Sequence, residues 1–176
     1  MTCPLFDAVA KVVRERRSIR EYMDEQPPKE VIEEILDLAR WSPSGNNVQD
    51  WRFTVVRDKN MLGAIKAFSP GWIASGNPVA IIISSDREWA LKKGGRHIAE
   101  YLYYVHAGIV AQTISLLAHA KGLGTCMIAS FSREAVKTLL SLPENWEPVL
   151  IMLVGYPRNA PQPPPRLPLD ELVTWR

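Results

Sequence analysis

Residues 42–56 read Ser-Pro-Ser-Gly-Asn-Asn-Val-Gln-Asp-Trp-Arg-Phe-Thr-Val-Val, a stretch that stops a helix, makes a polar turn and starts a strand. Ser42 to Asn47 cannot continue a helix. Pro43 lacks a donor N–H, and serine, glycine and asparagine favour turns through backbone freedom or local side-chain hydrogen bonds. Upstream, Ile32, Ile35, Leu36 and Ala39 share a helical face, and Pro28 suits the first position of that helix. Downstream, Phe53 to Val56 is an aromatic and β-branched run that reads as a strand. The small residues of the turn let a ligand approach the backbone, while its Asn and Gln side chains offer donors and acceptors to a heterocyclic edge. Alone, such a segment reads first as an ordinary connecting loop.

Outward from this stretch, Leu5, Val9, Val12 and Val13 make the stripe of an amphipathic helix ending near Arg16. A short helix is expected near Asp58 to Phe68, and Val79 to Ser84 is an almost wholly apolar strand of the kind buried on both faces. One long helix should run from about Lys93 to Ala120, closed by Lys121-Gly122. Its segment Tyr101 to Ala120 carries no Asp, Glu, Lys or Arg and is long enough to cross a bilayer. Its His106, Gln112, Thr113, Ser115 and His119, with no one-sided basic flank, favour a buried core helix instead. A strand from Thr125 to Ile128, a helix capped by Ser132 and running through Leu140, and a strand from Val149 to Val154 complete the pattern. Strands and helices do not alternate strictly. The expected fold is therefore an α+β sandwich, a single domain over residues 1–176 with helices around one mixed or antiparallel sheet.

At 176 residues the chain can bury a full core without staples. Its net charge of +2 lacks the basic excess of a nucleic-acid binder, so any electropositive site is local. Cys126 reads as a small core residue and Cys3 as a reduced thiol in a tail. Asp7, Lys11 and Arg14 interrupt the apolar N-terminus, which does not read as a signal peptide, and a reducing cytoplasm is expected. From Pro157 to Pro168, six of twelve residues are proline, so residues 157–176 form an extended arm. The arm ends in Leu167, Leu169, Leu172, Val173 and Trp175, an apolar tail that needs a surface on its own chain or on a partner's.

Three blocks can carry chemistry. Arg16-Arg17-Ser18-Ile19-Arg20 offers forked guanidinium donors suited to a phosphate, though Glu15 and Glu21 beside it also fit a solvated helix end. The loop Pro43-Ser44-Gly45-Asn46-Asn47 is the second. Gly122-Leu123-Gly124-Thr125-Cys126-Met127-Ile128-Ala129-Ser130-Phe131 is the third, and its glycines do not make a dinucleotide fingerprint. No Walker-type loop, HExxH, GxSxG or Cys/His metal cluster occurs, so no metal is expected, and His97, His106 and His119 read as structural residues.

Taken in order, Arg-Arg-Ser-Ile-Arg, Ser-Pro-Ser-Gly-Asn-Asn-Val-Gln-x-Trp-x-Phe, Gly-Leu-Gly-Thr-Cys-Met-Ile-Ala-Ser-Phe, Val-Gly-Tyr-Pro and Pro-Arg-Leu-Pro-Leu-Asp-Glu-Leu resemble a short protein of the nitroreductase family, from about Phe6 to Trp175. The resemblance implies an intertwined homodimer with FMN bound at the interface. It implies that Arg16, Arg17, Ser18 and Arg20 grip the phosphate and ribityl chain. Pro43, Ser44, Gly45, Asn46 and Asn47 would reach the flavin from the other subunit. Ala129 and Ser130 would lie beside the isoalloxazine ring, and Arg166 would return to the phosphate. The implied activity is hydride transfer from NADH or NADPH through flavin N5 to a nitroaromatic, quinone or similar acceptor, in ping-pong order and with no obligatory catalytic side chain. A flavin-binding module for storage or sensing, without reductase activity, is the alternative.

Four positions depart from the family pattern. Asp50 replaces a common proline and predicts a less rigid loop. His106 stands where an acidic residue is frequent. Ser130 follows Ala129 where at least one glycine is expected, which predicts a narrower space at the ring. Pro165 replaces a frequent lysine and removes a possible phosphate contact. Trp72 and Trp89, in the segments 69–72 and 87–96, are candidate stacking residues of a lid.

Overall fold

The computed structural model describes residues 3–176. Its centre is a four-stranded antiparallel sheet of β1 (Trp51–Val56), β2 (Val79–Asp86), β3 (Gly124–Ile128) and β4 (Trp146–Gly155), in the order β1-β2-β4-β3. The two expected alternatives for the sheet thus resolve to antiparallel. Every residue of β2 is buried, as its unbroken apolar run requires.

Helices cover both faces. On one, Ile32, Ile35 and Ala39 of α2 (Lys29–Ala39) and Val110, Ile114 and Ala118 of α5 (Tyr103–Ala120) pack on Ile81, Ile83, Met152 and Val154. On the other, Leu62 and Ile65 of α3 (Lys59–Ala67) and Val136 of α6 (Arg133–Leu139) pack on Ala80, Ile82, Ile151 and Leu153. The alternation of odd and even strand residues between these faces is the strand's period of two. The Asp58 carboxylate accepts from the Met61 N–H at 2.8 Å and the Ser132 hydroxyl from the Ala135 N–H at 3.3 Å, capping α3 and α6. Gly122, at φ +77, closes α5 as anticipated.

The expected single long helix is interrupted. α4 (Arg87–His97) starts six residues earlier than anticipated, its N-terminus capped by Asp86, and its backbone breaks at Gly95 (φ 77). A π-helical turn over Ile98–Leu102 then leads into α5. Gly94 explains the crowding there: a Cβ on it would lie 2.5 Å from Ile98 Cδ1. The segment from α4 through α5 is long and apolar enough to cross a membrane, yet α5 buries Tyr103, His106, Ala107, Val110, Ala111, Ile114, Ser115 and Ala118 within the domain.

Much apolar surface stays uncovered. α1 (Pro4–Glu15) forms as its stripe predicts but buries no residue, with Leu5 74% and Phe6 68% exposed. The arm is exposed almost throughout, and Trp175 beyond its short helix α7 (Leu169–Leu172) is 89% exposed. The tail therefore does not cover its own chain.

Gly124 begins β3 where the chain at Ile19 docks, and a Cβ there would lie 2.4 Å from Ile19 Cγ1. Gly124→Ala should lower stability by about 1–3 kcal/mol through overpacking. Gly63→Ala, in open space on α3, should raise it by about 0.5–1 kcal/mol through helix propensity. Urea unfolding monitored by circular dichroism measures both.

Candidate functional site

The arginine block lies along the free edge of β3. Ser18 pairs in parallel with Thr125, and the Ile19 N–H donates to the Thr125 carbonyl at 2.8 Å. Buried Ile19 anchors this short segment, leaving Arg16, Arg17 and Ser18 half-buried around it. Arg16 and Arg17 line a cleft of about 130 Å³ with Glu15, Thr125, Pro157 and Ala160. Arg17, among the described residues, donates only to the carbonyls of Arg14 (2.6 Å) and Arg16 (2.9 Å). Among the described residues, Arg16, Arg17 and Arg20 pair with no carboxylate. Unneutralised guanidiniums beside a small cleft are a donor set that fits a phosphate dianion.

Ala129 and Ser130 continue the same edge, exposed just past the end of β3. From Thr125 to Ala129 is four strand residues, about 13 Å, which suits a ligand with an anionic tail and a flat head. The Gly71 N–H donates to the Ser130 carbonyl at 3.0 Å, and a Cβ on Gly71 would lie 3.0 Å from Ser130 Cβ. Gly71 thus leaves the room that the Ser130 side chain occupies.

The polar loop is elsewhere. It leads into β1, the opposite edge of the sheet. β2 and β4 lie between, so the two edges are roughly 14 Å apart. The loop turns through left-handed backbone at Asn46, Asn47 and Gln49, each at φ 52, a conformation asparagine tolerates better than most residues. Its expected looseness at Asp50 is not found. Asp50 is buried, accepts from Ser85 Oγ at 2.5 Å and meets His106 Nδ1 at 2.6 Å, while His106 Nε2 accepts from the Gly45 N–H at 2.9 Å. Two departures from the family pattern are thus one interaction. The signal in the sequence was their coincidence: an acid gained beside the loop and an acid lost on the long helix.

Beside the loop, Arg52, Trp89 and Lys93 join Asn46, Asn47 and Gln49 around an open recess of about 440 Å³. Trp89 Nε1 donates to the Val48 carbonyl at 2.7 Å, and Lys93 lies 5.0 Å above the indole. Trp72 is no stacking residue: it is buried in the core with Leu62 and Ile128. Arg166 does not meet Arg16 within one chain. It is exposed and, among the described residues, donates only to the carbonyls of Pro164 and Pro165. The start of the arm is nonetheless tied beside the cleft, where the Arg158 N–H donates to the Glu21 carbonyl at 2.8 Å.

With this geometry in view, comparison with known proteins is specific. The nitroreductase family model matches residues 13–75 and 71–156. A candidate NADH dehydrogenase/NAD(P)H nitroreductase of Methanothermobacter thermautotrophicus is 34% identical over 158 residues, covering 87% of this chain and 79% of that protein. The FMN-dependent nitroreductase of Clostridium difficile R20291 is 27% identical, with a TM-score of 0.76 over 88% of this chain and 90% of its own. A candidate nitroreductase of Exiguobacterium sibiricum, solved in complex with FMN, shares the fold at a TM-score of 0.85 and 21% identity, covering 96% of this chain and 97% of that one.

Burial pushes the Cys126 thiol up, with Arg20 opposing the shift, while Cys3 is exposed. A raised thiol supplies less thiolate at neutral pH. A disulfide-exchange dye should therefore label Cys3 promptly and Cys126 only on unfolding.

Proposed function

The chain belongs to the nitroreductase family, and from that premise we propose that it is an FMN-dependent NAD(P)H oxidoreductase whose flavin site is completed by a second copy of itself. The observation that carries this reading is the division of the site: unpaired arginines on one edge of the sheet, the polar loop on the other. In this reading the two edges of one chain serve different FMN molecules, and each flavin draws on both chains. The uncovered stripe of α1 and the apolar end of the arm supply what a two-fold partner would bury.

In this reading Arg16, Arg17, Ser18 and Arg20 hold the phosphate and ribityl chain, and Arg166 closes over the phosphate from the arm. Ala129 and Ser130 leave the ring an unencumbered edge. Pro43, Ser44, Gly45, Asn46 and Asn47 of one chain meet the flavin of the other. Bound FMN would supply two-electron chemistry, taking hydride from NADH or NADPH and passing it to a nitroaromatic, quinone or similar acceptor in ping-pong order. The protein's own contribution is to bind, orient and shield, so no side chain is assigned an acid or base role. We assign the protein to the reducing cytoplasm, in keeping with its two free thiols.

Light scattering should give a dimer at micromolar concentration, and removal of residues 161–176 should weaken both dimer and flavin retention. Arg16→Ala and Arg166→Ala should each weaken FMN binding by about ten- to a hundredfold, the loss of one hydrogen bond to a charged partner. Full flavin occupancy in both variants would overturn the phosphate assignment. Bleaching of the flavin band by NADH or NADPH, with reoxidation by a quinone, tests the activity. A bound flavin that neither nucleotide reduces would instead indicate a storage or sensing module.

A further inference from the structure

We propose that Asp50 and His106 are positioning residues that staple the flavin-facing loop closed, and that they do so only with His106 neutral and protonated on Nδ1. The inference rests on the proposed FMN site for its consequence, but not for its geometry. His106 lies on α5 and contacts both ends of the loop. Its Nε2 is 2.9 Å from the Gly45 nitrogen and its Nδ1 is 2.6 Å from Asp50 Oδ1. The side chains are 3% and 1% exposed, so water does not compete for either bond.

The proton's position follows from the donors. A backbone N–H can only donate, so Nε2 must present a lone pair to Gly45, and the remaining ring proton sits on Nδ1, facing a carboxylate. The second carboxylate oxygen accepts from Ser85 Oγ at 2.5 Å on β2, and the Asp50 carbonyl accepts from the Asp86 N–H at 2.8 Å. Asp50 is thus held by the sheet, and His106 carries that fixity across to Gly45. The loop needs it, because Asn46, Asn47 and Gln49 all adopt left-handed backbone, which persists only where surroundings over-determine it. A Cβ on Gly45 would lie 3.3 Å from Ile98 Cδ1 and 3.4 Å from His106 Nε2, so the backbone there is seated closely on its support. An imidazolium would instead aim an Nε2–H at the Gly45 N–H and release the start of the loop.

The test uses the full-length chain. Long-range ¹H–¹⁵N spectra of histidine-labelled wild type, before FMN is added, should give His106 a protonated Nδ1 and an unprotonated Nε2. The other tautomer, or a doubly protonated ring, overturns the proposal. Hydrogen exchange at the Gly45 amide and FMN titration then compare His106→Leu with His106→Gln, whose carboxamide keeps one donor and one acceptor. His106→Leu should exchange faster and bind FMN about ten- to a hundredfold more weakly, with His106→Gln recovering to within about threefold of wild type. Wild-type exchange and affinity in His106→Leu, or no recovery in His106→Gln, contradicts it. Should His106→Leu fail to fold, Asp50→Asn, which still accepts from Nδ1–H, must retain slow Gly45 exchange. If the wild type itself binds no FMN, the functional reading fails, while tautomer and exchange still judge the staple.

Discussion

A sheet has two edges, and in this fold the arginine block and the polar loop lie at opposite ones, which is the constraint behind the proposal of a site shared between two chains. The parallel pairing of Ser18 with Thr125 fixes the arginine block to the β3 edge. The chain order then delivers the polar loop to β1, with β2 and β4 between them. β2, between them, is buried along its whole length. The proposed site, which uses both edges, is therefore assigned to two chains. The exposed stripe of α1, the extended arm, and exposed Tyr101 of the π-helical turn with Val105 of α5 are the surfaces left for that assembly.

Most of this architecture is readable in the sequence because each element carries its own local cause. The turn at Ser42–Asn47, the caps at Asp58 and Ser132, the apolar run of β2 and the glycine after α5 each appear where residue chemistry requires them. The break between α4 and α5 was not readable. Gly94-Gly95 interrupts a stretch whose apolar pattern otherwise favours one helix, and it is the packing of Ile98 against Gly94 that fixes where the chain turns. Trp72 misled for a related reason: a tryptophan directly after Pro70-Gly71 fits an exposed lid, but only tertiary contacts reveal that its side chain folds inward.

The candidate site was readable as a set of blocks and unreadable as a set of bonds. Family resemblance lets Arg16, Gly45 and Ser130 be named, since each sits in a motif. It made Asp50 look like a loss, a proline missing from a loop that needs stiffness. The loop is instead held by a buried acid, an imidazole and a backbone amide, replacing covalent rigidity with hydrogen bonds that are strong because they are dry. Such exchanges depend on proximity between distant positions, which a single sequence does not display.

The shared site is tested most directly by complementation within a mixed dimer. One chain carries Arg16→Ala with Arg17→Ala, and the other carries substitutions at Asn46 and Asn47; neither homodimer should retain FMN. In the heterodimer, intact arginines of one chain face the intact loop of the other at a single site, and one FMN per dimer should bind with wild-type affinity. A heterodimer as empty as its parents would mean that each chain builds its site alone, and the account of a divided sheet would be wrong.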